Sequence, residues 1–332
     1  MNSFKITPLA YIVVLNWNGK HHLQECLQSL ENISYENFKI VLVDNHSTDG
    51  SVEFVKSFFP SIEIIRNDRN LGFSAGNNVG IRHALSHGAD YVILLNNDTR
   101  VEPDFLLRLI QYGETHPDVG VLGGTVRMYG NPNIINSTGV NLNLLAYGWD
   151  RDFGMPCSAI QRKAGEVLAV TGALMAVKRE VFDQVGLLDP DFFAYFEDVD
   201  FCIRVWKYTN FTVEYVPQAN VYHKFSASIG RLSANKKRLA MEEQYRLFFK
   251  HYPLVIILLL FPVLVLYHLI QNRSDPPAFF HDFFISVRYA IFLPLIVLRR
   301  TRWFFQEKKE RRGLLWEKVI KEIGLPKIRV QD

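Results

Sequence analysis

The run Tyr91–Leu95, apolar throughout and ending abruptly in Asn96, Asn97 and Asp98, constrains this chain more than any other feature. A strand with no polar face must be covered on both sides, which is how strands of a parallel sheet between helices read. Polar groups at its carboxyl end then lie where the loops of an open α/β sheet form a crevice. Helix N-termini there turn backbone N–H groups toward anions. Pro103 and Asp104 suit the first turn of a following helix. The same letters also fit a plain polar turn with a good helix start, so the surrounding pattern has to decide.

That pattern repeats the theme. Tyr11–Leu15 is a short apolar strand ending in Asn16-Trp17-Asn18-Gly19, and Leu23, Leu27 and Leu30 then recur at helical spacing. Ile40–Val43 is a second strand ending in Asp44-Asn45, and Thr48, Asp49 and Ser51 supply helix-start chemistry for the next segment. A third strand at 62–65 leads to the glycine-containing stretch NLGFSAGNNVGI (70–81) and a third helix. Strands alternating with helices predict a mostly parallel, twisted sheet with right-handed crossovers. Asn16, Asp44, Asn70–Asn78 and Asp98 would then share one edge. The spacing GFSAGNNVG is neither GxGxxG nor a P-loop, so no dinucleotide or triphosphate cradle follows from it. A helix start that needs glycine for close approach reads equally well.

Composition excludes more than it selects. The net charge of +3 is too small to argue for nucleic acid, and the basic residues concentrate late in the chain rather than along the α/β part. Cys26, Cys157 and Cys202 are far apart and odd in number, which predicts neither a disulfide framework nor a zinc site. The first residues lack a basic region before their apolar run, so a secretory signal is not expected and a cytosolic catalytic part is.

In the second half, Asp189, Asp191, Glu197, Asp198 and Asp200 gather among aromatics just before a helical pattern through Phe201, Val205 and Tyr208. A carboxylate at a helix start beside aromatic walls can act as a general base, although such acids also simply complement the helix dipole. The segment 129–163 has few periodic runs and reads as an irregular excursion. Beyond 230 the composition changes: a basic helical stretch precedes apolar runs at Pro253–Ile270 and Phe279–Leu298 and a basic tail at 299–312. The first run is slightly short for a bilayer and contains Pro262, while the second carries Asp282 and Arg288. A spanning hairpin, interfacial helices held by Lys and Arg against anionic lipid, or a helix pair buried within the protein or at a dimer interface all remain open. Either membrane arrangement keeps the basic flanks on the cytoplasmic side.

VVLNWNG (13–19), LVDNHSTDGS (42–51), NLGFSAGNNVGI (70–81), LLNNDTRVEP (94–103) and FFAYFEDVDFCIR (192–204) resemble, in the right order, the successive motifs of family 2 glycosyltransferases, most closely the rhamnosyltransferase-like branch. The resemblance implies a GT-A, Rossmann-like catalytic domain over residues 1–230 and a helical, membrane-associating region over 231–332. It further implies an inverting transfer from a nucleoside-diphosphate sugar to a hydroxyl of a growing, lipid-linked cell-surface glycan, at the cytoplasmic face of the membrane. On this basis Asp98 takes the place of the metal-binding aspartate, with Asn96 where the family's first aspartate stands, so one carboxylate meets Mg²⁺ or Mn²⁺. Asn16, Asp44, Asn70, Asn77 and Asn97 fall on the nucleotide side. Gly172 lies beside the donor sugar. His223 reaches the metal or the diphosphate, unless it is an ordinary surface histidine. Asp198 becomes the catalytic base and the adjacent Glu197 holds the acceptor or the local structure. The donor suggested is dTDP-rhamnose, with UDP-sugars next; no nucleic acid is expected, and a homo-oligomer is compatible with the sequence.

Two other classes remain to be weighed. A sugar-phosphate nucleotidyltransferase would want a basic glycine-rich loop after the first strand, where this chain has NWNGKHH. A non-catalytic membrane scaffold would bind nucleotide without turnover and would have no need of both Asp98 and Asp198. A processive synthase of the same family is disfavoured by the lack of QxxRW after the acidic motif.

Overall fold

The computed structural model describes residues 7–224, 234–273 and 276–304. Its first half alternates as the apolar runs predict: β1 (Ala10–Asn16), α1 (Lys20–Leu30), β2 (Phe38–Asp44), α2 (Ser51–Phe58), β3 (Glu63–Arg66), α3 (Gly72–Ser86) and β4 (Tyr91–Asn96). β1 pairs in parallel with both β2 and β4, and β2 with β3, so strand order reverses at β1. A crevice opens at such a reversal, beyond the carboxyl ends of the strands. In register Asn16 lies opposite Asp44 and Leu15 opposite Asn96, which sets three polar strand ends side by side.

The strands are buried on both faces because successive side chains serve different cores. Tyr11 and Val13 of β1, with Val92 and Leu94 of β4, pack into one cluster, while Ala10, Ile12 and Val14, with Ile93 and Leu95, pack into the other.

After β4 come β5 (Thr99–Val101), α4 (Phe105–Thr115), β6 (Val119–Met128), β7 (Asn131–Ser137), β8 (Val140–Leu142), β9 (Gly148–Asp150) and β10 (Gly165–Glu166). The chain closes the sheet with β11 (Leu174–Lys178), α5 (Arg179–Val185), α6 (Glu197–Tyr208) and β12 (Thr212–His223). The order β10-β12-β6-β11-β4-β1-β2-β3 is parallel through its main strands, with β11 inverted between β4 and β6. Segment 129–163, expected to be irregular, contains β7 paired to the sheet and a β8–β9 hairpin. β8 and β9 have three residues each, too short to register as a period, and β7, NPNIINS, shows no apolar–polar alternation, which is why the sequence does not display them.

The C-terminal helices are α7 (Ala234–His251), α8 (Leu254–Gln271) and α9 (Pro276–Phe304). Tyr245, Phe248, Phe249 and Tyr252 are fully buried in the same cluster that holds Trp206 and Phe201 of α6, so α7 closes one face of the α/β layer. Lys207 donates from Nζ to the His251 carbonyl at 2.8 Å, and the Tyr252 hydroxyl donates to the Asn143 carbonyl at 2.5 Å. α8 buries Ile257, Leu264 and His268 inward and leaves Val255, Leu258, Leu259 and Leu266 exposed. Among the described residues it is the one helix long and apolar enough to cross a membrane. The basic tail lies largely outside the described residues, as does the end of the VYHKFSASIG segment.

Candidate active site

The apolar demand of β4 ends at Asn96, and the short turn into β5 holds Asp98 beyond the sheet edge. β12 runs antiparallel to β5 and brings His223 opposite Thr99. His223 Nε2 consequently lies 3.0 Å from Asp98 Oδ1 and 3.3 Å from the Asn96 side chain. Its other nitrogen, Nδ1, is 2.8 Å from Asn136 Oδ1 and donates to it. That bond leaves Nε2 as the nitrogen facing the carboxylate, an arrangement that calls for a positive charge between them, either a proton or a metal ion. Burial works to raise the Asp98 carboxyl, but the hydrogen bond and charge of His223, with His22 behind it, hold it below the usual range. One carboxylate and one imidazole are suitable donors for Mn²⁺ or Mg²⁺. No group of three or more His, Cys, Asp or Glu that could hold a metal occurs among the described residues.

The second acid centre sits at the start of α6. Tyr195 and Phe196 precede it with φ of 75° and 64°, a left-handed backbone that non-glycine residues avoid. Two such residues in succession turn the chain sharply into the helix and store strain of the sort that collects at functional sites. Asp198 then receives the Gly172 N–H on Oδ2 and the Val199 N–H on Oδ1, each at 2.8 Å. Burial raises its carboxyl despite those two donors. Glu197 is raised further, by burial and then by the Asp198 charge, and its Oε2 has no partner. The two carboxyls therefore titrate as a coupled pair, both raised by burial, with Glu197 the more strongly raised.

Asp200, two positions on, differs. It is fully buried in ion pairs with Arg204 and Lys250 and a hydrogen bond from His251, whose ring burial keeps neutral, and Asp189 also pairs with Lys250. These two acids join α6 and its preceding loop to α7.

Asp98, Asn96, Gly172, Glu197, Asp198 and His223 line one cavity of about 970 Å³. The same wall includes Asp150, with Tyr147 and Trp149 beside it. Burial and then the Asp198 charge push the Asp150 carboxyl up to about 6. Sequence reasoning did not single it out, because it sits in the segment whose strands carry no period, and nothing in the local letters distinguishes it.

The remaining predicted residues form a polar net beside this cavity and do not line it. Asn97 donates to Asn16 Oδ1 at 2.8 Å, and Asn16 donates to Ser47 Oγ at 3.1 Å and to Asp44 Oδ1 at 3.4 Å. Asp44 is fully buried and also accepts the Ser47 N–H, with Arg66 3.5 Å away. Asn70 accepts the Gly72 N–H and receives Asn45 Nδ2. Asn77 is buried and donates to the Phe73 carbonyl. In this arrangement Asn16, Asp44 and Asn77 hold the strand-end loops together. The glycine of this stretch acts locally too: Gly72 has φ of 81° and a Cβ there would come 2.5 Å from the Phe193 carbonyl oxygen. That contact fastens the third motif to the loop before α6.

A parallel sheet with its order reversed at the first strand, an acid at the end of β4 and a carboxylate pair across the cavity define a glycosyltransferase of the GT-A type. The profile described as Glycosyl transferase family 2 matches residues 11–186, and the chain belongs to that family. An uncharacterized protein of Sinorhizobium fredii is 30% identical over 247 residues, covering 70% of this chain but only 26% of that protein. The N-acetylglucosaminyl-diphospho-decaprenol L-rhamnosyltransferase of Mycobacterium tuberculosis is 27% identical over 246 residues, 68% of this chain and 79% of the relative. The dTDP-rhamnosyl transferase RfbF of Shigella flexneri is 22% identical over 213 residues, 64% and 68% of the two chains. Among solved structures, the mannosyltransferase PcManGT of Pyrobaculum calidifontis, in complex with GDP-Man and Mn²⁺, superposes with a TM-score of 0.53 at 16% identity over 95% of this chain and 85% of that one. That likeness concerns the fold. The nucleotidyltransferase alternative does not match this family assignment.

Proposed function

We propose that the protein is an inverting, metal-dependent glycosyltransferase that moves a sugar, with dTDP-rhamnose the first donor to test and UDP-sugars next, to a hydroxyl of a lipid-linked glycan. The observation that carries this reading is that Asp98 and Asp198, distant in the chain, line one cavity large enough for an activated sugar. The activities of the two rhamnosyltransferase relatives, as their names give them, support the donor and acceptor classes.

In this reading Asp198 takes the proton of the acceptor hydroxyl. Its raised carboxyl makes it a stronger base than an exposed aspartate, and the N–H groups of Gly172 and Val199 keep it aimed. The acceptor oxygen bonds to the anomeric carbon as the bond to the diphosphate oxygen breaks, and one such displacement inverts the configuration. Glu197 beside it positions the acceptor or the strained turn. Asp98 and His223 would hold Mg²⁺ or Mn²⁺, which supplies positive charge to a departing diphosphate. Trp149 and Tyr147 offer aromatic walls for a sugar ring. Asn16, Asp44, Asn70, Asn77 and Asn97 shape the nucleotide side by fixing its loops.

The outward apolar face of α8 and α9, with the opposite face packed on the protein, supports shallow insertion at the cytoplasmic membrane surface. A catalytic unit ending near 230 with a membrane-associating region after it fits this division, α7 being the strut between them.

The test is transfer by Asp198→Asn and Asp98→Ala variants that still fold and bind donor. Each should lose roughly 10²–10⁴-fold in turnover. Near wild-type turnover in either variant removes that residue from its role.

A further inference from the structure

The cavity that holds the two acids is also walled by the C-terminal helices. Arg238 and Lys237 of α7, His268 of α8 and Asp282 of α9 line it. Nε of Arg238 and Nε2 of His268 are buried without a hydrogen-bond partner, and His268 as a whole is only 7% exposed. Buried polar nitrogens of this kind are costly to leave unmet. The nearby Asp282 carboxylate feels the Arg238 charge but is engaged elsewhere: Asn272 donates to it, and the His281 ring also lies against it. Burial lowers His268 to about 4, so its ring is a neutral N–H donor, and the cations here are Arg238 and Lys237. Two cations and a neutral donor against one engaged carboxylate leave this part of the cavity suited to an anion.

The same helices carry exposed apolar side chains on their outer side. Leu258, Leu259 and Leu266 on α8 are 57%, 65% and 58% exposed, and Phe280 and Phe284 on α9 are 59% and 66% exposed. Such residues, contiguous along two packed helices, mark a surface that meets apolar matter. Three chemistries therefore follow one another from a single cavity: a carboxylate base, a cationic patch and an apolar face.

We propose that Arg238 and His268, with Lys237 at the rim, form the phosphate subsite for a lipid diphosphate acceptor. Its hydrocarbon chain leaves along the outer face of α8 and α9, and its sugar hydroxyl reaches toward Asp198. The proposal rests on the lipid-linked acceptor reading and adds to it the residues that grip the lipid's head. An unlinked glycan would leave both the cations and the apolar face unused. A donor nucleotide would answer the cations alone.

The test uses the full chain in detergent micelles with farnesyl diphosphate as probe, and inorganic pyrophosphate and farnesol as controls. The wild type should bind farnesyl diphosphate more tightly than either control. Arg238→Gln and His268→Gln should each weaken that binding about tenfold or more, the loss of one charge-assisted hydrogen bond, with UDP and dTDP binding and thermal stability unchanged. Arg238→Lys should restore part of it. Undiminished binding in both glutamine variants overturns the subsite, as does a loss of nucleotide binding in its place, which would assign the cations to the donor. The lipid-linked reading is tested apart from this, by sugar transfer in the wild type. Equal transfer to a phosphate-free alkyl glycoside and to a lipid diphosphate acceptor would end that reading, whereas preference for the lipid diphosphate together with intact probe binding in the variants would end the subsite alone.

Discussion

Replacing Asp200 by alanine should unfold the protein at lower temperature without touching the chemistry, although it lies two residues from the proposed base. Its side chain is fully buried, with Arg204 Nε 2.9 Å from one oxygen and His251 Nε2 and Lys250 Nζ at 2.7 and 2.6 Å from the other. Arg204 also donates to the carbonyls of Val185 and Leu187, so it cannot swing out to solvent without breaking the end of α5. Removing the carboxylate would leave the Arg204 guanidinium with backbone carbonyls alone inside the α6–α7 junction, while Lys250 keeps Asp189. A buried ion pair broken from one side costs about 3–5 kcal/mol, a large part of the roughly 5–15 kcal/mol that holds a domain together. At roughly 2–4 °C per kcal/mol for a chain of this size, the melting temperature should fall by about 10 °C. The pH dependence has a definite sign. Burial alone would raise the Asp200 carboxyl, but Arg204, Lys250 and His251 outweigh it and hold it far below its ordinary 3.8. A depressed carboxyl stabilises above its unfolded value and loses that contribution as pH falls, so the gap between wild type and Asp200→Ala should be full at pH 7 and narrow below about 3.8. Thermal unfolding at several pH values measures both. A melting temperature within about 2 °C of wild type at pH 7 would refute the view that these charges join α6 to α7.

Other outcomes follow from the same geometry. Gly72→Ala places a methyl group 2.5 Å from the Phe193 carbonyl oxygen at a φ of 81°, and should cost about 1–3 kcal/mol in chemical denaturation while weakening donor binding. Asp150→Asn removes a like charge beside Asp198, so the acid limb of the kcat/KM profile should move to lower pH; an unmoved limb would separate the two carboxyls. Leu258→Glu with Leu259→Glu alters exposed positions only, and should reduce sedimentation with anionic vesicles while leaving the melting temperature in detergent unchanged.

Much of the catalytic half is legible in the letters because its strands are buried on both faces. Tyr91–Leu95 has to be apolar throughout, so the point where it becomes Asn96-Asn97-Asp98 marks the edge of the sheet without reference to any other element. The same reasoning places Asn16 and Asp44 at that edge. It does not show that they also fasten loops, because their partners Ser47 and Arg66 are brought to them only by folding. Asp150 was beyond reach for another reason, since a three-residue strand imposes no pattern that a reader could detect.

The two chemical poles of the protein were likewise unequal in what their letters disclosed. By itself the order of residues determined the alternation of strands and helices, the polar carboxyl ends and the presence of an acid cluster before α6, because burial periodicity is a local property of the chain. Which of those acids faces the cavity and which is tied up in buried ion pairs was decided only by tertiary packing: Asp198 meets two backbone N–H groups and a cavity, whereas Asp200 meets Arg204, Lys250 and His251. The charges and burial that set a carboxyl's behaviour come from residues far away in the chain, and folding alone brings them together.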